Sequence, residues 1–164
     1  MKPITKWLEE YGESHQNPIN KKIHWICVPL IMLSLIGLLW YIPFPFNFPF
    51  SLSFESIENF KVELNWATLF LIFCVVFYYK LSKVIMAGMI AIAIFMIIGV
   101  GALNYLPLNP VVSCLIIFVS AWIGQFVGHK IEGKKPSFFE DLQFLLIGPA
   151  WLLSFIFDRL GVKY

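Results

Sequence analysis

Few residues in this chain of 164 could do chemistry, and those few agree in type. His15, His24 and His129 are its three histidines, and Glu132 follows the last of them within one helical turn. Neutral imidazole is the commonest metal ligand in proteins, and imidazole together with a carboxylate suits iron, zinc or manganese. The first two histidines lie in the polar stretch "YGESHQNPINKKIHWICVPL" at residues 11–30, directly against the start of a long apolar run. The third lies in "GQFVGHKIEGKKP", where Gln125, His129 and Glu132 recur at i, i+4 and i+7 and share one stripe of a helix. Glu132 has two readings at this point, a metal ligand or an ion-pair partner of Lys130 or Lys135.

A metal site requires the histidines to converge, and an unbroken helix would keep the first two apart. Nine residues at about 100° each place His15 and His24 on opposite faces. Asn17-Pro18 supplies the break, because Asn caps free backbone donors and proline at the first helical position gives up a hydrogen bond that would be missing anyway. His15 then ends an amphipathic N-terminal helix with Trp7, Leu8 and Tyr11 on one face, while His24 lies two turns into the next helix. Gly124 and Gly128 beside His129 would allow a neighbouring helix to approach closely.

The elements that must carry these residues are membrane helices. The chain is 59% hydrophobic and 13% charged, with a mean hydropathy of +0.78, outside the range of an ordinary soluble globule. The expected fold is an all-α integral membrane protein, one domain over residues 1–164. Four spans are expected near residues 23–42, 64–79, 84–106 and 111–127. A fifth apolar segment, 142–157, carries Gly148-Pro149 at its centre and is expected to be re-entrant or kinked there. Glu140 and Asp141 read as the solvated start of its helix. The loop "WYIPFPFNFPFSLSF" cannot be helical, because Pro43, Pro45 and Pro49 fix φ, and its aromatics suit the membrane interface.

Charge placement sets the topology. Lys2, Lys6, Lys21 and Lys22 precede the first span, Lys80 and Lys83 lie between the second and third, and Lys130, Lys134 and Lys135 follow the fourth; the two opposite loops hold only Lys61. Basic residues in short loops favour the cytoplasmic side. Both termini, and with them all three histidines, are expected there. The net charge of +2 is spread over short segments, which excludes a nucleic-acid-binding surface. Cys27, Cys74 and Cys114 are scattered through apolar segments and read as packing residues. The N-terminus "MKPITKWLEEYGES" has no apolar core of signal-peptide type, so the first span is expected to direct insertion.

Two motifs in this order resemble a known family, the membrane 2-hydroxy fatty acid dioxygenases that carry out iron-dependent α-oxidation, of the fungal phytosphingosine-catabolism type. They are "YGESHQNPINKKIHWICVPL", with a histidine, Asn-Pro-x-Asn, a second histidine and Val-Pro-Leu, and "AWIGQFVGHKIEGKKPSFFEDLQFLLIGPAWLL", with Gln-Phe-x-Gly-His, a following Glu and a later Gly-Pro. The resemblance implies Fe(II), O2, membrane lipid and a long-chain 2-hydroxy fatty acid, with His15, His24 and His129 as metal-binding and catalytic residues. It also implies a bacterial inner membrane or endoplasmic reticulum location. Three protein ligands leave open positions on a six-coordinate ion for both oxygens of a 2-hydroxy carboxylate and for O2. Lys21, Lys22 or Lys130 could attract the substrate head group, although interfacial lysines commonly just reach water.

Two other classes compete. A diiron hydroxylase would need more ligands than three histidines and one or two acids provide. A non-enzymatic transporter or assembly factor would hold no metal and would tolerate loss of the histidines.

Overall fold

A computed structural model describes residues 3–45, 51–53, 61–133 and 145–164. Among them six α-helices carry the fold: α1 Ile4–Glu13, α2 Pro18–Tyr41, α3 Trp66–Leu81, α4 Lys83–Ala102, α5 Pro110–Glu132 and α6 Ile147–Leu160. A 3-10 turn, Leu103–Tyr105, extends α4. The bundle is all-α as expected, and one short hairpin stands beside it. Strands β1 Ser51–Ser53 and β2 Lys61–Glu63 pair antiparallel, in the proline-rich connection where no helix was expected. The interfacial aromatics at 46–50, and Lys134, Lys135, Glu140 and Asp141, lie outside the described residues.

Helices stand at all four expected span positions. Three are long and apolar enough to cross a membrane: α2, α4 with its 3-10 extension, and α5. The fourth, α3, has 16 residues and falls below that length. Apolar side chains cover the outer faces of α3, α4 and α5, Phe95 being 75% exposed, as suits helices whose surroundings are not water. Ser82 alone joins α3 to α4. Its N–H closes α3 on Tyr78 O at 2.8 Å, and its hydroxyl accepts from Ile85 N at the start of α4.

The α2 and α5 helices run antiparallel along one another, and small residues set the distance. A Cβ on Gly128 would strike Asn20 Oδ1, one on Gly124 would lie 2.6 Å from Cys27 Sγ, and Gly37 backs onto Cys114. Position 128 rising against 20 while 114 falls against 37 is the antiparallel register. It brings the start of α2 and the end of α5 to one end of the bundle.

At that same end α1 lies on α6. Ile4, Leu8 and Tyr11 are buried there against Ile147, Ala150 and Trp151, which realises the expected apolar face of the N-terminal helix. The expected break in the last segment takes a different form. Gly148 and Pro149 are the second and third residues of α6, where a backbone N–H has no helical partner in any case, so proline starts this helix rather than kinking it. Gly148 is required by contact, since a Cβ would sit 2.9 Å from Tyr11 Oη. Every residue from Ile147 to Ser154 is buried. Residues 142–144 lie outside the described part.

Candidate metal centre

The site forms where α1, the start of α2 and the end of α5 meet. Asn17 caps α2 by accepting from Ile19 N at 2.9 Å, and Pro18 occupies the first turn. The chain therefore reverses between Glu13 and Pro18, and His15 turns back over His24. Ring centroids of His15 and His24 are 4.2 Å apart, His15 and His129 5.3 Å, and His24 and His129 5.2 Å. All three are buried. One nitrogen from each falls within 4.8 Å of the others. The convergence of His15 and His24 expected from the Asn17-Pro18 break is thus present in the fold, and His129 joins them.

Hydrogen bonds define how two of these rings are presented. His15 Nδ1 lies 2.6 Å from Tyr11 O and His24 Nδ1 lies 3.0 Å from Asn20 O. A carbonyl oxygen only accepts, so each Nδ1 carries the hydrogen and donates. The Nε2 atoms of the neutral rings then present lone pairs, and these atoms are 2.9 Å apart. Two facing lone pairs at that distance repel. A shared proton would place an imidazolium in a dry pocket at a large desolvation cost. A bound cation would resolve the clash, because each neutral Nε2 can give its lone pair to the ion. The donor set therefore suits a divalent metal ion, which His15, His24 and His129 could hold.

Glu132 stands outside the group formed by the three imidazole nitrogens. Its carboxylate accepts from Gln16 N at 2.8 Å, from Asn17 N at 2.9 and 3.1 Å, and from Asn20 Nδ2 at 2.9 Å. Gly133 ends α5 immediately afterwards in the left-handed conformation, φ 76°. The carboxylate from α5 thereby clamps the linker that carries His15 and the residue whose carbonyl orients His24.

Aromatic rings close the site. Tyr11 stacks on His15 at 4.2 Å with an interplanar angle of 11°, and Trp151 lies 5.2 Å from the same imidazole. A cavity beside the histidines is lined by Tyr11, His24, His129, Trp122 and Gln125, together with Gly148 and Pro149. Gln125 Oε1 and Trp122 Nε1 are buried without a hydrogen-bond partner. Such groups are costly, which marks unmet bonding capacity next to the imidazoles. Lys21, Lys22 and Lys130 do not line this cavity; Lys22 and Lys130 are exposed.

Sequence reasoning placed Gln125 on the histidine stripe without a role, and it read Tyr11 as packing only. It did not find Asn20 or Trp151 as parts of the site. The available signal was spacing: Tyr11 and Asn20 each precede a histidine by four residues, where a helical carbonyl meets the side chain one turn on.

A buried three-histidine cluster in a bundle of long apolar helices defines a membrane-type protein whose site could hold a metal ion. Residues 1–160 match the family described as 2-hydroxy-palmitic acid dioxygenase Mpo1-like, and the chain belongs to that family. No curated protein and no solved structure matches it.

Proposed function

We propose that this protein is an Fe(II)-dependent dioxygenase that shortens long-chain 2-hydroxy fatty acids by one carbon. The observation that carries the reading is the pair of Nε2 atoms of His15 and His24, 2.9 Å apart with both Nδ1 atoms held by carbonyls, next to buried His129. The family description, which names a 2-hydroxy-palmitic acid dioxygenase, supplies the substrate class. The overall change, R–CH(OH)–COOH plus O2 to R–COOH, CO2 and H2O, balances without a further reductant. When bound, iron supplies O2 activation and makes the 2-hydroxyl more acidic.

The chain's own residues bind and orient. His15, His24 and His129 hold the ion; Tyr11 O and Asn20 O fix two of the tautomers. Trp122 Nε1–H donates to a substrate carboxylate oxygen and the Gln125 amide accepts from the 2-hydroxyl, satisfying the two groups that otherwise lack partners. Trp151 and the Tyr11 ring exclude water from His15. This gives the head group to Trp122 and Gln125 instead of to the three lysines weighed from sequence. Four spans, with both termini and the site on the cytoplasmic side of a bacterial inner membrane or the endoplasmic reticulum, complete the reading.

The test is to purify the protein in detergent, measure bound metal, and follow O2 uptake with 2-hydroxypalmitate for the parent and for His15→Ala, His24→Ala and His129→Ala. Iron content and substrate-dependent O2 uptake in the parent, both lost in the variants, are expected. Variants that keep metal and activity would refute the assignment.

A further inference from the structure

The cavity beside the histidines has an apolar neighbour. Four residues on its wall, Ile31 and Met32 of α2 together with Leu145 and Pro149, also line a second cavity that runs between α2, α3 and α4. They stand between the two cavities, and Met32 among them has an unbranched, adaptable side chain. Beyond them, Leu35, Phe70, Cys74 and Met89 are among the lining residues, and the surface is almost wholly apolar. Leu71, Val75 and Ala93 line this second cavity and also a third. The third opens outward between α3 and α4, flanked by Ile72, Val76 and Ile94, each about half exposed. The cavity at the histidines, the apolar cavity and the outward-facing hollow on the α3–α4 hairpin thus adjoin one another in a row through shared lining residues.

We propose that this row of cavities is the acyl channel and that its α3–α4 opening is a lateral portal to the bilayer. The 2-hydroxy acid reaches the histidines with its carboxylate end leading, and its alkyl tail lies between α2, α3 and α4. The occupant follows from adjacency: an amphiphile with one polar end and a long apolar body matches a pocket holding imidazoles and unpartnered polar groups beside cavities lined by aliphatic and aromatic side chains. Because the channel opens to lipid, the tail of a long substrate projects into the membrane and the parent shows no sharp upper limit of chain length. Ala93 is the threshold residue. It lines both the channel and the portal, and its methyl leaves the gap that a large side chain would close. This inference rests on the dioxygenase reading for the identity of the head group.

The experiment uses the full chain in phospholipid nanodiscs and 2-hydroxypalmitate carrying a diazirine at its tail end, with adducts located by peptide mass spectrometry after chelation of metal. Adducts on Leu71, Val75 and Ala93 that unlabelled 2-hydroxypalmitate competes away are expected. In parallel, Ala93→Trp lowers the ratio of 2-hydroxypalmitate to 2-hydroxyoctanoate turnover by about tenfold or more. Val75→Phe gives the same direction if Ala93→Trp does not accumulate. Adducts confined to outward residues such as Phe73 and Phe95 and unaffected by competitor, or a chain-length ratio unmoved by both variants in a metal-loaded active protein, overturn the channel while leaving the chemistry standing. Competed channel adducts in a protein that consumes no O2 support the channel and sink the dioxygenase reading instead.

Discussion

The Nε2 atoms of His15 and His24 face each other at 2.9 Å although both rings donate from Nδ1 to main-chain carbonyls. In neutral form the facing lone pairs repel, and a bound cation would relieve that repulsion. Metal should therefore stabilise the fold. At about one hundred times the dissociation constant, a bound ion adds about 2.7 kcal/mol. The parent is expected to melt higher with Fe(II) or a redox-inert substitute ion than after chelation. His24→Ala, which removes one of the facing lone pairs, should abolish that metal-dependent shift. Thermal unfolding in detergent with and without chelator checks it.

Glu132 predicts a different pattern. Its carboxylate holds Gln16 N, Asn17 N and Asn20 Nδ2, so its loss loosens the linker that aims two histidines. Changes to such supporting groups typically cost about 10–100-fold in metal affinity. Glu132→Ala is expected to weaken metal binding by that order while the site still fills at saturating metal, and Glu132→Gln, which keeps one acceptor oxygen, should cost less. Titration with a chromophoric competitor measures both. Saturation at the parent stoichiometry separates a clamp from a ligand.

Much of this site is legible in the sequence because it depends on local rules. Asn17-Pro18 reads as a helix start, and the structure uses it as one. The three histidines, far apart in the chain, meet at one end of the bundle. What spacing could not say is which atom a side chain meets. The stripe Gln125, His129, Glu132 was correct as a stripe, but only the approach of Gln16 and Asn17 from another element turns Glu132 toward main-chain donors. Pro149 was read as a break at mid-segment. The helix starts at Ile147, so the same proline falls in a first turn where it costs no bond. The aromatic wall of Tyr11 and Trp151 was illegible for a plainer reason: the two residues are far apart in sequence, and their contact exists only once α1 lies on α6.

Gln125 and Trp122 give the prediction that best separates binding from folding. Removing a buried polar group without a partner should leave stability unchanged or raise it by about 1 kcal/mol. Gln125→Leu is therefore expected to fold and to retain metal, yet to raise KM for 2-hydroxypalmitate by about tenfold. Trp122→Phe keeps an aromatic ring, though a smaller one, and removes the N–H, and should move KM the same way. Steady-state O2 uptake alongside metal analysis checks the pair. A Gln125→Leu protein with parental KM would show that the amide does not meet the substrate.

The antiparallel seam of α2 and α5 positions His24 against His129, and Gly124 tests that dependence at a distance from both. A Cβ there would lie 2.6 Å from Cys27 Sγ, inside any normal contact. Gly124→Ala should push the helices apart and cost about 1–3 kcal/mol, as overpacking does. Cys27→Gly opens the opposing space, so the double variant should recover much of the loss, and the recovery measures the coupling of the two positions. Because the histidines ride on these same helices, metal affinity should fall in Gly124→Ala and return with stability in the double variant. If stability falls while metal affinity holds, the seam does not set the spacing of His24 and His129.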